Sequence, residues 1–466
     1  MECPNKHKKN NGLLSRRDFF KISAASGLAA GLSACGKGEG TGTVTSAEVP
    51  RGKMEYRNMG GDKVSLLGYG CMRWPTKQAP DGEGEILDQE QVNRLVDYAI
   101  DHGVNYFDTA PPYCQGNSEE VTGNALCRHD RSKYFIATKM SNQNAYGQGL
   151  RGKDLFDASV EMYHNSFKRL RVDYIDYYLI HILGIGNGME EMRGRIYDSG
   201  VLDFLLKERE AGRIRKLGFS FHGDVKAYDY LIEESGVDWD FVQIMLNYMD
   251  WHHGYPTSEH LYNLLAEHGI PAIVMEPLLG GRLSSVHDHV VAAFKQRDPD
   301  RSVASWAFRF AGSFPNVLTV LSGMTYMEHL QDNIRTYSPL DKLSDDELSF
   351  LQETADLMAS YPTIPCNDCK YCMPCPYGLD IPAVLLHYNK CVNEGNLVLS
   401  AADSNYAKAR RAFLVGYDRS VPRLRQADHC IGCAQCNPHC PQGIDIPAEM
   451  RKISDYVEML KRGRTL

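Results

Sequence analysis

Asn105-Tyr106-Phe107-Asp108-Thr109-Ala110-Pro111-Pro112-Tyr113 decides how the rest of this chain is read. Residues 104–107 form a short apolar run that suits a buried strand, and the run stops at Asp108. A stiff Pro-Pro loop then carries Tyr113. An acid at a strand's end followed by a phenol on a rigid loop suits the wall of a site better than a core. Gly116-Asn117-Ser118-Glu119-Glu120 comes next, a loop running into a helix with Ser118 as N-cap and acids in the first turn.

Outward from this stretch, short apolar runs alternate with amphipathic ones, the pattern of parallel βα units. The candidate strands are 65–68, 104–107, 134–138, 174–180, 216–219, 241–246, 272–275 and 317–321. Helical periods such as 92–102 and 155–170 lie between them. Eight repeats between residues 54 and 342 predict an α/β fold closed as a (β/α)8 TIM barrel rather than an open sheet. No G-x-G-x-x-G follows the first strand, which disfavours a dinucleotide fold.

Such barrels place chemistry at the C-terminal ends of their strands. Asp108 follows the second strand, Lys139 the third and His181 the fourth, with Tyr113 on the adjoining loop. A phenol with an ordinary pKa near 10 is a poor acid at neutral pH unless a cation stabilises its phenolate. Lys139 is expected to supply that charge, Asp108 to hold Lys139 ionised, and His181 to orient a substrate carbonyl or relay its proton. Each alone has a plain structural reading: a helix cap, a solvated lysine, core lining. As a set on successive strand ends they suit reduction of a carbonyl by hydride, with Tyr113 protonating the oxygen.

These residues, read with their surroundings, resemble the aldo/keto reductases over about residues 54–336. The resemblance rests on Asp108-Thr109-Ala110 with Tyr113, Gly116-x-Ser118-Glu119, Ala137-Thr138-Lys139 and Leu179-Ile180-His181. It continues through Gly218-Phe219-Ser220, Val242-Gln243, Pro277-Leu278-x-Gly280-Gly281, and Gly323 with Asn333. It implies a nicotinamide cofactor across the barrel's rim and Asp108, Tyr113, Lys139 and His181 as the catalytic four. It further implies Ser220 and Gln243 near the carboxamide, residues 278–281 (with Leu278 and Gly280) near the pyrophosphate, and Gly70, Gly323 and Asn333 among the cofactor's neighbours. The departures all concern that cofactor. Phe221 follows the serine where an Asn is common, and Met275 stands where an aromatic often stacks on the nicotinamide. Gly323 and His329 stand where basic residues commonly grip the NADP 2′-phosphate. NAD, NADP or weak nucleotide binding all remain open, since a phosphate without a guanidinium or ammonium partner gains little.

Eight of the 14 cysteines fall in two runs near the C-terminus, a clustering that speaks for metal chemistry rather than disulfides. They are Cys366-x2-Cys369-x2-Cys372-x2-Cys375-Pro376 and Cys430-x2-Cys433-x2-Cys436-x3-Cys440-Pro441. Their tails repeat, Gly378-Leu379-Asp380-Ile381-Pro382-Ala383 against Gly443-Ile444-Asp445-Ile446-Pro447-Ala448, each with Asp at a cap and Pro in a helix's first turn. Four thiolates closed by Cys-Pro resemble the bacterial ferredoxin signature for two 4Fe-4S clusters. Zinc, the competing reading, usually takes all-cysteine sites as two separated pairs. In two-cluster ferredoxins the fourth Cys of each run serves the other cluster. That implies one set of Cys366, Cys369, Cys372 and Cys440 and another of Cys430, Cys433, Cys436 and Cys375. The gap before Cys375 is one residue shorter than usual. Residues 343–466 are thus expected to form a small, mostly helical ferredoxin-like domain.

The N-terminus carries Ser15-Arg16-Arg17-Asp18-Phe19-Phe20-Lys21, a modest apolar segment, and Leu32-Ser33-Ala34-Cys35. This resembles a twin-arginine signal ending in a lipobox, residues 1–35, followed by a Gly/Thr/Ser-rich linker over 36–53. Twin-arginine systems export folded proteins, which a chain loaded with clusters would require. The expected location is the periplasmic or cell-surface side, with the membrane reached only through a lipid anchor at Cys35; without the signal it is the cytoplasm. A net charge of −8 argues against a nucleic-acid partner.

Three functions follow. The first is an oxidoreductase that interconverts a small carbonyl and an alcohol by hydride transfer, with Tyr113 as general acid/base, and passes single electrons through its clusters to or from a redox partner protein. The second is a nicotinamide-dependent carbonyl reductase whose clusters only staple the C-terminal domain. The third is an electron-transfer protein with a non-catalytic barrel.

Overall fold

The computed structural model describes residues 49–463, so residues 15–21 and Cys35 lie outside the described residues. Two glycines shape the barrel's floor. Gly60 and Gly61, with φ of 53° and 93°, close a tight hairpin between β1 (Tyr56–Met59) and β2 (Asp62–Ser65), a turn that favours residues free to adopt positive φ. Met59 and Val64 from this hairpin pack beneath Tyr106, Ala137, Tyr177, Leu179, Phe241, Ile273, Leu318 and Leu321, the side chains that fill the barrel's interior. Buried Asp62 accepts from Arg215 Nη2 at 2.8 Å and from the Tyr177 hydroxyl at 3.3 Å, tying the floor to the wall.

The wall is a closed ring of eight parallel strands: β3 (Leu67–Gly70), β6 (Tyr106–Asp108), β7 (Phe135–Met140), β8 (Ile175–Leu183), β9 (Ile214–Phe221), β10 (Phe241–Met245), β11 (Ala272–Met275) and β12 (Val317–Ser322). A second hairpin, β4 (Thr76–Gln78) with β5 (Glu85–Leu87), stands outside the ring. Every residue of β8 is buried, the pattern of a strand covered on both faces. The eight strands expected from the sequence are all present, with two informative shifts.

The first barrel strand begins at Leu67 rather than Ser65, because Ser65 belongs to the floor hairpin. There the amide of Ser65 donates to Asn105 Oδ1 at 2.8 Å, and the amide of Asn105 donates to Ser65 Oγ at 3.0 Å. The fourth runs three residues past Ile180, with Ile182 at φ 51° and an irregular register between Ile180 and Leu183. His181 therefore sits on a bulge, a local device that re-aims a side chain.

A helix spanning Asp345–Ala359 lies on the barrel's flank. Ser344 and Glu347 form its capping box, and Arg309 Nη1 donates to Glu347 Oε1 at 2.8 Å. Phe350 meets Phe294 edge-on at 5.5 Å, and Leu351 and Ala355 join the barrel's core. Beyond it a second core gathers around helices Ile381–Asn393, Tyr406–Ser420 and Ile446–Arg462, with Leu385, Phe413, Tyr417, Met450, Ile453 and Leu460 at its centre. Asp380 and Asp445 cap the first and third of these helices, with proline in each first turn.

Helix packing on the barrel leaves no room at Gly123 in helix Ser118–Leu126, where a Cβ would lie 2.4 Å from the Arg169 carbonyl oxygen and 2.8 Å from Leu170 Cα. Gly123→Ala is expected to destabilise the protein by about 1–3 kcal/mol through overpacking. Gly147→Ala, where no atom lies within 4 Å of the added carbon, should be neutral or gain up to about 1 kcal/mol. Urea unfolding of the two variants checks the contrast.

Candidate active site

β6 ends at Asp108 and β7 carries Lys139, and the two strands pair in register, so their side chains meet inside the rim. Lys139 Nζ donates to Asp108 Oδ1 at 2.5 Å and to the Thr109 carbonyl at 2.8 Å, and both charged side chains are buried. Burial raises the Asp108 carboxyl, while the ammonium beside it pulls it back down. Asp108 Oδ2 is buried without a partner, so the pair is held by one oxygen.

Tyr113 comes in over this pair. Its ring lies 4.9 Å from Lys139 Nζ and 5.7 Å edge-on from the His181 ring. Ser141 Oγ lies 2.6 Å from His181 Nδ1, which leaves Nε2 as the nitrogen that can face a substrate. Burial, with Lys139, His222 and Arg195 nearby, holds the imidazole well below its usual range and therefore neutral. The four residues singled out in the sequence thus share one rim.

One expected detail is different. Lys139 faces the ring of Tyr113, and the Tyr113 hydroxyl is pushed well above its usual value by burial first and then by Tyr371 and Asp108. The phenol is held as a neutral donor rather than as a phenolate beside an ammonium.

Tyr371 was not expected in the site. It stands between Cys369 and Cys372 in the first cysteine run, and its phenol lies within electrostatic reach of that of Tyr113. Its ring lies 6.4 Å from His181. An aromatic residue inside a cysteine gap was its only sequence signal. Ser141 and Glu276 were also missed. Glu276, at φ 54° just past β11, accepts from Gln442 Nε2 at 3.4 Å and is pushed by burial up to about 7.

Cysteines of both runs come together. Cys366, Cys369, Cys372 and Cys440 line one cavity, with Leu385, Ile444 and Ile446 as its apolar side. Cys436 lies within electrostatic reach of Cys430, Cys433 and Cys375. Burial, then the neighbouring acid and thiols, pushes Cys366 up to about 11, and burial with three thiols pushes Cys372 up to about 12. As bare thiols they are neutral; the positive charge of iron is what makes such groups thiolates. This set of soft ligands around an apolar cavity fits a cluster.

The residues expected around a nicotinamide nucleotide fare differently. The amide of Ile182 donates to Ser220 Oγ at 2.9 Å, and Asn333 Nδ2 donates to Ser322 Oγ at 3.0 Å. Gln243 Oε1 is buried without a partner. Gly70 lies against Ser322 and Gly323, and Gly323 against the stem of Arg73. At 278–281 a Cβ on Gly280 would meet the Asn367 carbonyl oxygen at 1.9 Å, so the cysteine module approaches the segment expected near the pyrophosphate.

A parallel eight-stranded barrel with a buried Lys–Asp pair and a phenol at its rim, beside two sets of four thiols, defines an iron–sulfur oxidoreductase. Residues 66–356 match the aldo/keto reductase family and residues 365–444 match the 4Fe-4S dicluster domain. The chain belongs to the aldo/keto reductase family and carries a dicluster domain at its C-terminal end. It is 25% identical to the uncharacterized oxidoreductase YqkF of Bacillus subtilis, over 62% of this chain and 92% of that one. It is 24% identical to the L-galactose dehydrogenase of Arabidopsis thaliana, over 63% and 92%. In fold it is similar to an aldo-keto reductase from Klebsiella pneumoniae in complex with NADPH, with a TM-score of 0.51 at 23% identity over 65% of this chain and 95% of that one. It is similarly close to the holo form of AKR11C1 from Bacillus halodurans, with a TM-score of 0.50 at 24% identity over 64% and 96%.

Lys139→Met leaves Asp108 buried without a counter-charge and is expected to cost about 3–5 kcal/mol in urea unfolding. Adding Asp108→Asn should recover part of that loss. For the clusters, Cys366→Ser and Cys440→Ser should each lower the iron content from about eight per chain towards half. Crossed ligation predicts that both remove the same EPR signal and that the double variant loses no more.

Proposed function

We infer that this oxidoreductase interconverts a small carbonyl and an alcohol at Tyr113, and that its two clusters carry the electrons to or from a redox partner protein. One observation supports this above the others: the first cysteine run brings Tyr371 to the rim, its ring 6.4 Å from that of His181, so the loop that bears cluster ligands also lines the site. Reduction of a carbonyl to an alcohol takes two electrons and two protons, and two one-electron clusters match that count. Neutral Tyr113 gives the proton at oxygen, or takes it in the reverse direction, and the second proton, at carbon, comes from or returns to solvent water. Neutral His181 donates a hydrogen bond to the same oxygen through Nε2. Lys139 and Asp108 fix the ring that carries the proton.

The hydride-transferring, nicotinamide-dependent carbonyl reductase with structural clusters is the second reading. What favours it is the buried, unpartnered Gln243 Oε1 on β10, where a carboxamide was expected. Under either reading the proposed location is the periplasmic or cell-surface side, through the twin-arginine signal, with the membrane touched only at a lipidated Cys35 and no nucleic-acid partner. Among the described residues no helix is long and apolar enough to cross a membrane.

Tyr113→Phe removes the proton without the ring. It is expected to lower carbonyl reduction, driven anaerobically by a reduced viologen over a panel of ketones and aldehydes, by about 10²–10⁴-fold. The cluster absorbance and EPR signals should be unchanged. A variant as active as the parent would return the barrel to a non-catalytic scaffold.

A further inference from the structure

The cysteine module is latched to the barrel along one side of the rim. Arg73 Nη1 pairs with Asp368 Oδ2 at 3.3 Å, and its Nη2 donates at 3.3 Å to the carbonyls of Asn367 and Asp368. Arg282 Nη2 donates to Thr363 Oγ1 at 3.3 Å, and Gln442 reaches Glu276 and Met245. Asn393 Nδ2 donates to the Ser285 carbonyl at 3.1 Å. The Asn367 backbone lies on Gly280 so closely that no side chain could stand there.

These contacts fall on the ground that the family's nucleotide is expected to use. The Asn367 carbonyl stands where a side chain at position 280 would be, and the stem of Arg73 comes within 3.5 Å of where a Cβ at Gly323 would lie as that side chain reaches for Asp368. At the inner end Tyr371 stands at the rim, its ring 6.4 Å from that of His181. Gly323 and His329 stand where cations commonly grip a 2′-phosphate, and a phosphate without such partners gains little.

We propose that the cysteine module is the built-in occupant of the nicotinamide nucleotide's cleft, so that the folded holoenzyme binds neither NADH nor NADPH. Glycine at 280 then has a different use from the one expected: it makes space for the Asn367 backbone rather than for a pyrophosphate. Arg73 is an anchor for the module, and Tyr371 fills the inner end of the cleft until a substrate oxygen takes its place at Tyr113. The proposal concerns the nucleotide site alone and builds on the carbonyl–alcohol reading only for its consequence, that reducing equivalents enter through the module.

Anaerobic titration of the cluster-loaded full chain with NADH and NADPH, followed by nucleotide fluorescence and cluster absorbance, tests it. The expected result is no saturable binding up to about 1 mM, the upper end of ordinary KM values, and no bleaching, while dithionite bleaches the clusters. Hydrogen exchange at 278–281 and 367–371 should be the same, within twofold, with and without either nucleotide. Saturable binding of either nucleotide, or protection at 278–281 with loosening at 367–371, would overturn the proposal. Viologen-driven turnover of the carbonyl panel separates the two claims. Silence there, with no nucleotide bound, removes the carbonyl reading and leaves the occupied cleft standing.

Discussion

A buried ammonium and a buried carboxylate 2.5 Å apart set the terms for this site. Taking both charges out of water costs several kcal/mol each, and the cost is offset only where geometry is fixed and remaining donors are used. Here in-register pairing of β6 with β7 fixes the geometry, and the Thr109 carbonyl takes a second Lys139 proton. A closed parallel barrel is the sort of frame that can hold such a pair, because every strand is covered on both faces. The Pro-Pro loop departs from the same strand end and brings Tyr113 over Lys139. Loss of the pair would therefore disturb the proton donor through the backbone that both share.

The second organising contact is backbone on backbone, Asn367 against Gly280. It differs in kind from the salt bridge of Arg73 with Asp368, whose side chains are part-exposed and which on that account contributes little to stability. What the ion pair adds is register, by fixing which turn of the cysteine run faces the rim. The register matters because Tyr371 is three residues beyond Asp368, and a shift of one residue would take its hydroxyl away from Tyr113. Cluster ligation and rim geometry thus draw on the same few residues, and iron bound at Cys369 and Cys372 would also fix Tyr371 between them.

The barrel was legible because short apolar runs separated by amphipathic helices are a strong, repeated signal. The tetrad was legible because strand ends can be counted. Three features were not, each for a physical reason. The floor hairpin was hidden in a stretch where Gly60-Gly61 alone marks the turn, and its short strands look like the start of the first barrel strand. The bulge at Ile182 depends on the register of β8 with β9, which no local pattern encodes. Tyr371 became a site residue only through the docking of one domain on another, and long-range contacts of that kind leave no periodicity behind. The cofactor residues show the opposite failure. Their identities match the family, but what they face here is decided by residues 363–371 and by Arg73.

The departures around the cofactor and the cysteine runs then have a common cause. In a barrel that must hold a diffusible dinucleotide, a cation at the 2′-phosphate and a stacking aromatic contribute to affinity. In a barrel whose cleft is filled by its own chain, neither contributes, and Gly323 and Met275 cost nothing. A tethered module has an effective concentration that a free ligand cannot match, so modest contacts suffice to keep it in place. On this account the aldo/keto reductase barrel keeps its proton chemistry at Tyr113 and has exchanged the source of its electrons.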